Sequence, residues 1–253
     1  MDAQLCRVLP LLSSLYAHML VVLSPATSAT TRQRLADSGA TVVVNESGLA
    51  GSSTFLGRKR REAVLLTLEE MPAASHAHLV DLDRLLHWAE FYPDELRAML
   101  PRLTEHDFTV LGRTARAFAT HPRVQRDTEA IINHVFSLAS GHAWDVTAAA
   151  RGVARRARAL IADCADDTIG NDCSWPLCIM RASELTLGYH ETEGLEFETL
   201  DHFALPDEAR QGWLARVDAD PQQWAVRLEL ARIEVESIAA HSAAGNAERT
   251  ITR

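Results

Sequence analysis

The sequence predicts an α/β fold, a mostly parallel sheet flanked by helices with a helical C-terminal extension. Short, continuously apolar, β-rich runs alternate with amphipathic stretches over the first half of the chain, as in strands whose two faces are covered by crossover helices. The connections between these runs are short. Past residue 126 the apolar spacing turns almost wholly to the helical period.

Taken in order, residues 3–16 put Leu5, Val8, Leu9, Leu12 and Leu15 on one helix face. HMLVVLS (18–24), closed by Pro25, reads as a buried strand. SATTRQRLADSG follows as a helix, with Ser28 or Thr30 as N-cap and Gly39 as its stop. ATVVVNE (40–46) is the next strand, SGLAGSSTFLG a Gly/Ser loop and RKRREAVLLTLEE a helix. AHLVDLD (77–83) is a third strand, YPDELRAMLPRL a helix and DFTVLGR (107–113) a fourth strand. DTEAIINHVFSLAS, TAAARGVARRARALIADC and SWPLCIMRAS read as helices, and LTLGYHE (185–191) as one more strand. The last two helices break at Asp220–Pro221. The expected division is a main domain over 1–205, a helical extension over 206–242 and a flexible tail over 243–253.

At 253 residues and 47% hydrophobic, the chain can bury a substantial core in one large domain. A net charge of −9 argues against a nucleic-acid coat, which needs a concentrated basic surface. No apolar run reaches the roughly 18 residues of a membrane span. The first 29 residues make a poor signal peptide: Asp2 offsets Arg7, and Tyr16 and His18 interrupt the apolar run. Cys6, Cys164, Cys173 and Cys178 form no C-x-x-C pair, so free thiols in a reducing cytoplasm are expected, with DCSWPLC a weak metal clip as the alternative.

The chemistry centres on HAHLVDLDRLLHW. Two carboxylates one residue apart, Asp81 and Asp83, at the end of a strand can share a hard divalent cation, Mg²⁺ or Mn²⁺. The alternative for Asp81 is an N-cap of the following turn. A second D-x-D, Asp218–Ala219–Asp220, precedes a proline between helices and reads as turn chemistry. His76, His78 and Asp81 come close to the H-x-H-x-D-H pattern of zinc hydrolases but lack its Asp-His pair. The Gly/Ser loop lacks a G-K-[ST] ending. Arg58 and Arg61 in the first turn beyond it could still take a diphosphate, or form a solvated basic face.

This order of elements resembles the nucleotide-sugar glycosyltransferases of the GT-A fold, most of all family-2 members akin to polyprenyl-phosphate mannosyl and glucosyl synthases. Gly57, Arg58 and Arg61 stand where those enzymes carry a glycine-rich segment, and Asp81-Leu82-Asp83 stands at their D-x-D. Gly112 and Arg113 of DFTVLGR match a G-S-R strand, and Asp145, Thr147 and Arg151 of WDVTAAARGVARRA match a D-x-T segment. The likeness covers roughly residues 5–200. It implies transfer of a sugar from a nucleotide-diphosphate sugar to an acceptor that the sequence does not identify. Asp83 would ligate the metal, with Asp81 ligating it or touching the ribose. Arg58 and Arg84 would face the diphosphate, and Ser24, Thr27, Gly51 and Arg113 would line the nucleotide-sugar site. His202 would complete the metal shell, against a plain surface histidine. Asp172 would be the acceptor-side base, against a helix cap.

The chain also departs from those enzymes. It opens with the helix that follows their first strand, so that strand is missing or displaced, and LSPATSATT replaces their acidic turn. A non-catalytic nucleotide-sugar-binding or scaffold protein on the same fold, and a metal-dependent hydrolase, therefore stay open. The terminal helices could cover the acceptor side or pair two copies in a homodimer.

Overall fold

The computed structural model describes residues 2–45, 56–71, 73–164, 166–203 and 207–251, without the side chains of 202, 203, 207, 208 and 243–251. The first described element, α1 (Asp2–Leu15), turns the predicted Leu5–Val8–Leu9–Leu12 stripe into the core. β1 (Leu20–Leu23) and β2 (Thr41–Val44) pair in parallel through the crossover helix α2 (Ala29–Asp37). The Ser28 side chain caps α2 by accepting from the Thr31 amide at 3.1 Å. Gly39 ends it at φ 86°, a left-handed conformation that side chains with a Cβ rarely adopt.

After α3 (Leu56–Glu70) come β3 (His76–Leu79), α4 (Leu82–Phe91) and α5 (Pro93–Arg102). They are followed by β4 (Phe108–Arg113), α6 (Ala115–Ala119), α7 (Arg123–Ser140), β5 (Ala150–Ala154), α8 (Arg155–Asp163), α9 (Asn171–Arg181) and β6 (Leu187–Thr192). The second sheet runs β3-β5-β4-β6, with β5 antiparallel to both neighbours and β4 parallel to β6.

The fold is α/β, but the expected mostly parallel sheet is corrected to two small sheets, one a parallel pair and the other mixed. The difference comes from β5, inside a stretch that reads as helix. Ala150-Arg151-Gly152-Val153-Ala154 has little β propensity, yet all five residues are buried between β3 and β4. A Cβ on Gly152 would lie 3.0 Å from Leu103, so close packing of a small residue, rather than propensity, sets the strand.

β1 and β3 both line one cavity of about 420 Å³, yet they belong to different sheets. The cavity is covered by Leu9 and Leu12 of α1, by Ala63 and Val64 of α3, and by Leu82 and Leu85 of α4. Asp81 and Arg60 stand on its wall.

The chain ends in α10 (Asp207–Ala219) and α11 (Pro221–Ile251), broken at the predicted Asp220–Pro221. The second D-x-D does turn chemistry there. Asp218 accepts from the Val124 amide at 3.0 Å, and Asp220 from the Gln222 amide at 2.9 Å. α11 packs along α7 and α9.

Candidate functional site

The chemistry-bearing residues collect in a network of ion pairs where β3 and β4 run out. β3 ends at Leu79, four residues short of the expected strand end, so Asp81 is the N-cap residue of α4 and Asp83 lies in its first turn. The Asp81 carbonyl accepts the Leu85 amide at 3.0 Å, but its side chain caps nothing. Instead its carboxylate accepts from Arg60 Nη2 at 3.1 Å. Arg60 Nη1 reaches Asp172 Oδ1 at 3.0 Å and Asn171 Oδ1 at 3.2 Å, and Arg151 Nη2 donates to the same Asp172 oxygen at 3.0 Å. Burial alone would raise the Asp81 pKa, but Arg60, Arg84 and Arg151 together hold it below the ordinary carboxylate value.

Asp83 turns back on its own helix, accepting the Arg84 amide at 2.9 Å. Arg84 donates to the Ala148 carbonyl at 2.7 Å and lies 3.8 Å from Glu198. Burial pushes the Glu198 carboxyl up even against Arg84. Arg113 is fully buried at the end of β4. It donates to Asp145 at 2.7 and 2.9 Å, to Glu129 at 2.6 Å and to Thr147 at 2.7 Å. From α11, Glu234 adds a buried carboxyl raised well above its ordinary value, first by burial and then by Asp172 and Glu129.

The structure brings Asp81, Asp172, Arg151 and Arg84 into one neighbourhood and leaves other expected residues apart from it. Ser24 accepts the Ala26 amide at 3.2 Å, and the Thr27 carbonyl accepts from Arg32 at 3.0 Å, in the β1–α2 turn. The Arg58 side chain is exposed, and Arg61 pairs with Asp167 and donates to the Cys164 carbonyl at 3.1 Å. Neither stands in the Arg60–Asp81 pairing. Gly51 and the His202 side chain lie outside the described residues. Asp172, expected as the acceptor-side base or a helix cap, sits in the first turn of α9 behind the N-cap residue Gly170, only 4% exposed. Arg113 is wholly engaged by its own carboxylates.

The zinc-hydrolase triplet does not assemble. His78 Nδ1 lies 2.7 Å from the Tyr16 hydroxyl, and burial lowers its pKa to about 4. His76 lies beside Ser75. Among the described residues no group of three His, Cys, Asp or Glu ligand atoms includes His76, His78, Asp81 or Asp83.

Sequence reasoning missed Arg60, Glu198, Glu129 and Glu234. Arg60 carried a usable signal. The buried face of α3 is Gly57, Arg60 and Val64, a helical i, i+3, i+7 set that excludes Arg58 and Arg61. Its partners Asn171 and Asp172 lie 111 and 112 residues away, so nothing local announces them.

A second hollow, about 550 Å³, opens beside His87, His121, Glu196 and Asp201. Burial lowers the His87 pKa, but hydrogen bonds to Asp201 at 2.5 Å and Glu196 at 3.2 Å outweigh it and raise the value to about 9. A histidine pKa raised on folding stabilises fully below the unfolded value, about 6.5, and that contribution is lost as pH rises through 9. Thermal unfolding should therefore show the wild type losing roughly 3 kcal/mol between those limits, while His87→Gln loses much less. Equal losses in the two proteins would contradict the assignment.

Comparison with protein-family models, with curated proteins and with solved structures gave no significant match to the chain.

Proposed function

We propose that the chain binds a nucleotide-diphosphate sugar beside Asp81 and transfers its sugar to an acceptor with the help of Mg²⁺ or Mn²⁺, in the manner of GT-A glycosyltransferases. The observation that carries the reading is the display of Asp81. Its side chain is 37% exposed on the wall of an open hollow just past β3, with Asp83 two residues on. Ligands of α/β sheets sit at such carboxyl ends. Asp81 and Asp83 offer hard oxygen donors of the kind that suit Mg²⁺ or Mn²⁺, which keep several positions for phosphate oxygens and water. Asp81 and Asp83 would hold the ion, and the bound ion would neutralise charge on the leaving diphosphate. Arg84, whose backbone amide donates to Asp83, would supply a guanidinium for the same charge. Among the described residues no helix is long and apolar enough to cross a membrane, and four free cysteines suit the reducing cytoplasm to which the proposal assigns the protein.

Isothermal titration of UDP and GDP, with and without Mn²⁺, tests the reading. Wild type should bind one of them with Mn²⁺ at least tenfold more tightly than without it, and Asp83→Ala should lose that gain. Binding indifferent to both metal and substitution would remove the metal-assisted site.

A second reading, a binder without catalysis, is favoured by Asp172. Buried between Arg60 and Arg151, it is poorly exposed to take a proton from an acceptor hydroxyl. Metal-dependent binding with no turnover of any nucleotide sugar supports that reading over the transferase.

A further inference from the structure

Away from the Asp81 network, three ligand-bearing side chains meet where α8, α9 and α11 come together. Cys164 closes α8, Cys178 lies in α9 and His241 in α11. Their ligand atoms all lie within 4.8 Å of one another, and the two sulfurs are 3.4 Å apart. All three residues are partly exposed, so an ion has a way in.

We propose that Cys164, Cys178 and His241 form a zinc site with its fourth position open to solvent, fastening α11 to the α8–α9 corner. Two thiolates and an imidazole are soft and borderline ligands that select Zn²⁺ over Mg²⁺ or Mn²⁺. Tetrahedral Zn–S bonds of about 2.3 Å set two sulfurs roughly 3.8 Å apart, so the observed 3.4 Å needs only a small spread.

The histidine is already oriented. His241 Nδ1 lies 2.8 Å from the Ser237 carbonyl, one turn back on α11. Donating there fixes the tautomer and leaves the Nε2 lone pair for a metal, the outer-shell arrangement common to metal-bound histidines.

The position gives the ion a purpose. One turn before His241, Ser237 donates to Asp166 at 2.6 Å. Further back on α11, Glu234 and Arg227 face the charged network, with Arg227 donating to Gln125 at 3.0 Å. Zinc would anchor the helix that covers that network, whether or not the network binds a nucleotide sugar.

The test is metal retention. The chain is purified in reductant, stripped with a chelator, equilibrated with one equivalent of Zn²⁺ and desalted, and zinc is counted by mass spectrometry. Wild type and Cys6→Ser, which alters an exposed cysteine, should each retain one zinc per chain, while Cys178→Ser and His241→Ala retain at least tenfold less. Adding Co²⁺ to the wild type should give thiolate-to-cobalt charge-transfer absorption, a readout that does not depend on the variants folding. No zinc on the wild type, equal zinc on all four proteins, or a Cys164–Cys178 disulfide in the metal-free chain under anaerobic reductant would overturn the proposal.

Discussion

Arg113→Met is expected to destabilise the protein by roughly 3–5 kcal/mol at pH 7, the cost of leaving buried charge without its partner. The Arg113 side chain has no exposed surface, and its hydrogen bonds hold Asp145, Glu129 and Thr147 together. Burial lowers the Arg113 pKa, but Asp145 and Glu129 raise it above the ordinary value. In return Arg113 holds the buried Asp145 well below the carboxylate range. Methionine fills similar volume and supplies no charge, so Asp145 and Glu129 would be left facing each other's neighbourhood in a dry interior.

The pH dependence separates this from a packing defect. A carboxylate pKa depressed on folding stabilises above its unfolded value, about 3.9, and the contribution is lost as pH falls through the folded value. The wild type should therefore weaken as acid is added below pH about 4, and the variant, lacking the Asp145 term, should weaken less. Urea unfolding of both proteins at pH 7 and at acid pH measures the gap. A deficit below about 1 kcal/mol at pH 7, or one unchanged in acid, would contradict the ion-pair explanation.

Arg60→Met should have two opposed effects. Stability should fall by roughly 1–3 kcal/mol. The loss is smaller than at Arg113 because Arg151 remains on Asp172 and the Asp81 side chain is 37% exposed. Freed of its guanidinium, Asp81 should then accept a divalent ion more readily, so Mn²⁺ affinity in the presence of nucleotide should rise severalfold. Loss of both stability and Mn²⁺ affinity would mean that Arg60 holds the site open instead of competing for it.

Much of the fold was legible because its signals are local. LVVL and TVVV are short apolar β-branched runs. Ser28 and Gly39 punctuate α2, and Pro221 starts α11. β5 was illegible because Ala150, Arg151 and Gly152 carry no strand signal, and only the fit against Leu103 and two neighbouring strands makes them one. Missing an antiparallel strand in the middle of the sheet turned a mixed sheet into an expected parallel one.

The candidate site divides along the same line. The position of Asp81 just past an apolar strand was readable, and so was its alternative as the residue that opens α4. The ion pairs were not. Arg60 meets Asp172 across 112 residues, and Glu234 reaches the network from the last helix. Contacts of that span depend on how helices pack, and they leave no spacing in the chain.

Electron paramagnetic resonance of Mn²⁺ asks most directly whether an ion and a nucleotide meet at Asp81 and Asp83. Added to the wild type with UDP or GDP, Mn²⁺ should lose its free-ion signal to a degree that neither protein nor nucleotide achieves alone, and the Asp81→Asn, Asp83→Asn double variant should restore it. A free-ion signal that the wild type leaves unchanged at saturating nucleotide would contradict the proposed site.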